Sequence, residues 1–471
     1  MLDASQLKIL IDRRWDSEIV PTLIDYIRIP NKSPAFDPDW AAHGFMDQAV
    51  ALFAAWARTR LNGLEGADVE VVRLEGRTPV ILIELPGSSA DTVLLYGHLD
   101  KQPEMTGWDE GLGPWTPVLR NGQLFGRGGA DDGYAMFSAL SALLALRQLG
   151  QAHGRTVILI EACEESGSGD LPFYVDHLAS RIGTPSLVIC LDSGCGNYDQ
   201  LWLTTSLRGL MSITLNVRVL SEGVHSGDAS GIVPSSFRIL RRLLSRLEDE
   251  ATGKILPDWL HVAIPAARQS QVAAAAEILG DQVFAKFPFL ETMRPASENL
   301  RELILNRTWR PQLEIIGLDG APPPGNAGNV LRPFTTAKLS LRLPPSLDAD
   351  RVAPKVKALL ESDPPYGAAI EARVNDSAGG WDAPDLQPWL RSAIETASNA
   401  AFGKPPAMMG EGGSIPFMRM LGEKFPAAQF VVTGVLGPRS NAHGPNEFLD
   451  IPTAKRVSET IGHILVQHRA R

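Results

Sequence analysis

The sequence predicts an α/β protein with a central, mostly parallel sheet and a second, smaller α+β domain inserted into it. Two observations carry this prediction. Short, continuous apolar runs rich in β-branched residues alternate with helical stretches over the first two hundred residues and again over the last ninety. Runs of that kind are strands buried on both faces. Between these two parts the pattern changes to strict apolar–polar alternation, the mark of strands with one solvated face. At 471 residues the chain exceeds a single compact core, so two domains are expected.

The elements follow in order. Residues 5–28 and 46–61 repeat Leu, Ile, Val, Phe and Trp at three- and four-residue steps and read as amphipathic helices. VEVVRL (69–74), PVILIEL (79–85) and TVLLYGH (92–98) read as strands, and an apolar helix spans about 134–149 before Gly150. TVILIEA (156–162) and SLVICLD (186–192) are buried strands. LMSITLNVRVL (210–220) and TTAKLSLRL (335–343) alternate, with helices after Pro234 and at about 348–361, a strand at 369–374, and a Pro/Gly loop at 321–329. SAGGWDAPD (377–385) reads as a return linker. Helices at about 386–402 and 453–468, with AQFVVTGV (428–435) as a strand between them, resume the first style. The expected division is 1–208 with 382–471, and 209–381 as the insert.

Composition excludes several function classes. Hydrophobic residues at 44% and charged ones at 21% fit an ordinary globular protein with a sizeable core. A net charge of -10 argues against a general nucleic-acid or membrane-surface role. Three cysteines, Cys163, Cys190 and Cys195, make neither a disulfide framework nor a thiolate metal site. The N-terminus lacks a secretory apolar core and no stretch has the length of a membrane span, so a cytoplasmic location is expected.

Five segments carry chemistry. In YGHLDKQPE, His98 and Asp100 follow a buried strand and point to one side. A strand-end histidine with a carboxylate to orient it suits a metal, although a lone histidine is more often structural. In GRGGADDGY, Asp131 and Asp132 precede a helix, where a helix cap is the plain alternative. In EACEESGSG, Glu164 and Glu165 follow an apolar strand, and adjacent carboxylates there are costly unless cations or protons compensate them. Asp192 ends another apolar strand, and His443 lies in the Gly/Pro loop SNAHGPNE. Ligands in open α/β sheets collect outside the carboxyl ends of the strands, which puts His98, Glu164, Glu165 and Asp192 on one edge. His, Asp and Glu without thiolates suit zinc, manganese or cobalt. Five ligands exceed one four-coordinate ion but suit two ions that share a carboxylate and activate a water. GEGGSIPF (410–417) reads as a Gly-rich approach to a helix, with Ser414 as a possible cap and backbone N–H groups, Gly413 among them, able to hold a carboxylate. Asn329, in GNVLRP, is a weaker contact candidate.

H-L-D, G-R-G-x-x-D-D, E-E-S-G-S, a strand-end Asp and a late His, in this order, resemble the M20 metallopeptidase family, and most of all its carnosine-dipeptidase-like branch. The resemblance runs through essentially the whole chain. It implies a three-layer catalytic domain, with the insert as a lid and dimerisation domain, and two divalent ions per chain, zinc first. One ion would be held by His98 and Asp192, the other by Glu165 and His443, with Asp131 bridging. Asp100 would orient His98, Glu164 would be the general base, and the Asp131–Asp132 peptide would be cis. GVHSGDASG resembles the family's lid loop and makes His225 a candidate oxyanion donor, working across a homodimer; an ordinary loop histidine is the alternative. LSLRLPP makes Arg342 a candidate grip on a substrate carboxylate; without the resemblance it reads as a surface-strand arginine. After Asp132 the branch usually has Lys-Gly, whereas Gly133 and Tyr134 stand here, so its substrate preference does not carry over. Cys163 and Cys195 read as packing residues. The expected activity is amide hydrolysis in a dipeptide or short peptide with a free C-terminal carboxylate. N-acyl-amino-acid deacylation on the same machinery, and a non-catalytic binding protein, are the competing readings.

Overall fold

The computed structural model describes residues 2–471. Its largest sheet has six strands, in the order Asp68–Val72, Val80–Leu85, Arg155–Glu161, Thr92–His98, Pro185–Cys190 and Gln429–Val432. The last four run parallel, and the first two add antiparallel at one edge. Every residue of Thr92–His98 is buried, as a strand covered on both faces requires. Alternate residues enter different cores. Val93, Leu95, Ile158, Ile160 and Ile189 pack with the helices at Ala4–Arg14, Phe45–Leu61, Ala135–Gln148 and Ile451–Ala470. Leu94, Tyr96, Val157, Leu159 and Val188 pack with those at Leu171–His177 and Pro416–Lys424. The result is a helix–sheet–helix sandwich.

A second sheet, antiparallel throughout, orders Gln312–Asp319, Phe334–Leu343, Gly209–Arg218 and Ala369–Ala378. Its inner face supplies Met211, Ile213, Leu215, Val217, Leu339 and Leu341 to a separate core, closed by the helices Ser236–Leu244 and Ala349–Glu361. The alternation read in the sequence is this inner face.

Three features depart from the sequence reading. The return segment is not a free linker: the strand from Ala369 runs on to Ala378, and Trp381–Asp382 pairs antiparallel with Trp202–Leu207. That strand also pairs in parallel with Ala407–Glu411, and neither was legible. The helices Ala266–Leu279 and Leu300–Thr308 pack not on the antiparallel sheet but with Trp202, Ala407 and Met409. Part of 209–381 therefore lies against the body that carries the central sheet.

Gly133, which the pattern GRGGADDGY left unexplained, sits where the loop turns into the helix Ala135–Gln148. A Cβ there would lie 2.3 Å from the Tyr26 ring and 2.6 Å from the Gly128 carbonyl. Overpacking against a backbone group costs about 1–3 kcal/mol or more. Gly133→Ala should therefore lower the thermal unfolding midpoint clearly. An unchanged midpoint would show that this loop has room to yield.

Candidate metal centre

The carboxyl ends of the parallel strands converge. His98 is the last residue of its strand, Glu164 and Glu165 form a short turn just after Arg155–Glu161, and Asp192 follows Pro185–Cys190. Asp131 lies in the loop before the helix Ala135–Gln148, and its peptide bond to Asp132 is cis. His443 reaches the same place from the loop ahead of Phe448–Asp450, at φ +65°.

Two groups of ligand atoms result, each within 4.8 Å: His98, Glu164 and Asp192, and Asp131, Glu165 and His443. Asp131 joins them. Its Oδ1 is 3.4 Å from His98 Nε2 and its Oδ2 is 3.0 Å from His443 Nε2. His443 Nε2 is also 3.3 Å from Glu165 Oε2, and His98 Nε2 is 3.9 Å from Asp192 Oδ2. His98 Nδ1 is 3.2 Å from the Asp100 carbonyl oxygen. A carbonyl only accepts, so Nδ1 carries the proton and the Nε2 lone pair faces Asp131 and Asp192. Asp100 also fixes the two glutamates, since its carboxylate oxygens accept from the Glu164 and Glu165 N–H groups, each at 3.0 Å.

The charges do not balance within the protein. Burial, and then the neighbouring carboxylates, push Glu164 and Glu165 well above the usual range and Asp192 up to about 6. Burial acts the same way on Asp131, but the His443 and His98 side chains beside it hold it low. Asp132 is raised as well, by burial and by Asp192. Buried carboxylates in this excess need cations or protons. Among the described residues, His98 Nε2 and Glu165 Oε1 are buried without a hydrogen-bond partner, which is unusual for polar atoms unless a further ligand is accommodated. Two divalent cations fit this donor set.

Several contacts that hold the site are not visible in the sequence. The Asp132 carboxylate accepts from the His98 N–H at 3.2 Å, and Gln102 Nε2 donates to Glu165 Oε2 at 2.5 Å. Glu447 and Arg127, both buried, form an ion pair. Glu447 also accepts from the Gly128 N–H at 2.8 Å, and Arg127 donates to the Gly444 carbonyl at 2.8 Å. This pair ties the His443 loop to the loop that leads into Asp131. Partners 320 positions apart leave no local signal.

The candidate substrate residues fall into two sets. Arg342 Nη1 donates to Ser414 Oγ at 3.3 Å, and that hydroxyl donates to the Arg208 carbonyl at 2.5 Å. Ser414 therefore does not cap the helix Pro416–Lys424, whose cap position is Ile415. Its hydroxyl is engaged by the two arginines instead. The Gly413 carbonyl accepts from the Arg208 N–H at 3.1 Å. His225 and Asn329 lie together elsewhere: Val224–His225 pairs with Val330–Leu331, and the Ser226 N–H donates to the Asn329 carbonyl at 2.9 Å. Among the described residues, no hydrogen bond or ion pair joins His225 to the metal-site side chains of its own chain. The three cysteines are buried, and burial pushes their thiols up, in line with packing roles. Tyr134 is buried, with its hydroxyl 2.6 Å from the Leu191 carbonyl.

Glu447→Gln keeps the shape but removes the charge that holds Arg127. The second group, with His443, should then bind its ion at least about tenfold more weakly, as loss of a supporting contact to a ligand typically does. After dialysis against a weak chelator, elemental analysis should find the variant with one tightly held ion and the parent with two. Equal retention would remove the clamp from the account.

The model of peptidase family M20/M25/M40 matches residues 94–467. A cysteinylglycine-S-conjugate dipeptidase of Corynebacterium striatum is 27% identical over 417 residues, covering 86% of this chain and 87% of that protein. The human Beta-Ala-His dipeptidase is 28% identical over 444 residues, covering 88% and 82%. Among solved structures, the di-peptidase Dug1p of Saccharomyces cerevisiae superposes with a TM-score of 0.79 at 22% identity, covering 100% of this chain and 99% of that one. Human carnosine dipeptidase 1 gives 0.78 at 22%, covering 99% of each. The chain belongs to peptidase family M20/M25/M40.

Proposed function

We propose that the protein hydrolyses the amide bond of a dipeptide or short peptide with a free C-terminal carboxylate. The observation that carries this reading is the pair of ligand groups joined through Asp131, with the backbone of Glu164 in the first group held by Asp100. The dipeptidase names of the relatives support the substrate class over N-acyl amino acids.

In this reading His98 and Asp192 hold one divalent ion, Glu165 and His443 the other, and Asp131 both, with zinc as the first expectation and manganese or cobalt as alternatives. Ions held by these residues would supply Lewis acidity toward the scissile carbonyl and toward water. Glu164 takes the proton from the attacking water and returns it to the leaving amine. Asp100 positions Glu164, Glu165 and His98 and touches no substrate. Arg342, Ser414 and the Gly413 backbone receive the terminal carboxylate. Residues 1–208 and 382–471 carry the catalysis, and 209–381 forms a lid through which two chains pair. His225 then serves the oxyanion of the neighbour's site, with Asn329 beside it. Among the described residues no helix is long and apolar enough to cross a membrane; a cytoplasmic location is part of the proposal.

Three measurements test the reading. Glu164→Gln should lower turnover on a dipeptide by about 10²-fold or more while metal content stays, the loss expected for a general base; Glu165→Gln should lower metal content. The opposite pattern would exchange their roles. Free dipeptides should be cleaved, and Arg342→Ala should impair them far more than their C-terminal amides; faster cleavage of N-acyl amino acids would point to a deacylase. A mixed dimer of Glu164→Gln and His225→Ala chains, purified through two tags, should regain activity that neither parent dimer has. No recovery from a stable mixed dimer, or a strictly monomeric protein, would confine His225 to its own chain.

A further inference from the structure

Four cations, Arg208, Arg307, Arg342 and Lys286, lie along the segment from Glu411 to Ser414. Arg208 is buried, and its hydrogen bonds go to neutral carbonyls, Gly412 at 3.1 Å and Asn306 at 3.2 Å. Arg342 meets the Ser414 hydroxyl. Arg307 Nη2 meets only the Met409 sulfur, at 3.2 Å. Among the described residues none of these three, nor Lys286, has a carboxylate within 4.0 Å. They also feel one another. Burial, then Arg342 and Arg307, pulls Arg208 down to about 9. Among the described residues, Glu411 is the carboxylate that faces Arg208 and Lys286.

One cavity joins part of this group to the segment just after Asp192. Lys286, Arg307 and Glu411 line one small cavity, of about 60 Å³, together with Gly194 and Cys195. Gly194 is two residues beyond Asp192, and a Cβ on it would lie 2.8 Å from Glu411 Oε1. A polar space of that size accommodates a few waters or a carboxylate. Lys286 and Arg307 sit on the part of 209–381 that packs against the body of the central sheet. With one terminal carboxylate at Arg342, Glu411 alone is left to offset Arg208, Arg307 and Lys286, and clustered cations in excess are stabilised by a further anion.

We propose that the preferred substrate carries a second carboxylate, on a side chain, and that Arg307 and Lys286 receive it while Arg342 and Ser414 hold the terminal one. The protein is then a dipeptidase selective for peptides containing aspartate or glutamate. This rests on the dipeptidase reading above.

The test compares kcat/KM of the metal-loaded enzyme on Ala-Gly, Ala-Asp and Asp-Ala, for the parent, Arg307→Gln and Lys286→Met. The parent should prefer one acidic dipeptide over Ala-Gly by at least about tenfold, the size of one good charged contact. Each variant should lose at least about fivefold more on that peptide than on Ala-Gly, chiefly through KM, and added salt should shrink the preference. Lys286 is exposed, so its variant folds even if Arg307→Gln does not. Free aspartate should inhibit the parent more strongly than alanine does, and Lys286→Met less so. Equal kcat/KM on acidic and neutral dipeptides, or a preference that survives both substitutions, would overturn the proposal and leave the dipeptidase reading standing. Failure to cleave any dipeptide with both ions bound would overturn the two together.

Discussion

The site depends on one buried carboxylate with two histidines on opposite sides. Asp131 reaches His98 through one oxygen and His443 through the other. Every other feature of the centre serves to make that arrangement tolerable. Asp131, Asp132 and Asp192 are buried, Glu164 and Glu165 are half-buried beside them, and the two imidazoles offset only part of their charge. Such a cluster is stable only with compensating positive charge, and the donor set has the hardness and number for two divalent cations. The acidity of the centre and its capacity for metal are the same fact.

The fold supplies the precision. Strands buried on both faces are the least mobile part of an α/β protein, and their carboxyl ends carry His98, the Glu164–Glu165 turn and Asp192. Asp100, two residues past the strand, holds both glutamate N–H groups, so the backbones of Glu164 and Glu165 cannot move independently. Asp131 and His443 come from loops, which need a separate restraint, and the buried Arg127–Glu447 pair with its backbone contacts provides it. A buried ion pair is a poor source of net stability but a good means of fixing geometry.

Much of this was legible in the sequence, for identifiable reasons. The strands around 92–98, 156–162 and 186–192 stood out because double-sided burial demands unbroken apolar runs, and those at 210–220 and 335–343 because single-sided burial demands alternation. His98, Glu164, Glu165 and Asp192 were readable as a set because strand ends share an edge. What was hidden depends on contacts between distant segments. Trp202–Leu207 is rich in Thr and Ser, and it becomes a buried strand only by pairing with Ala407–Glu411. The Ala-rich helix Ala266–Leu279 has little amphipathic contrast, so its packing against Met409 could not be foreseen. Ser414 looked like a cap because its position suits one, but the Arg208 carbonyl and the Arg342 side chain compete for its hydroxyl and win.

The central claim is that two cation sites share Asp131. Anomalous diffraction from crystals of the protein loaded with zinc, recorded on both sides of the zinc absorption edge, tests it most directly. The account predicts two peaks, one beside His98 and Asp192 and one beside Glu165 and His443, each in contact with Asp131. A single peak, or a second one that lies away from Asp131, would contradict it.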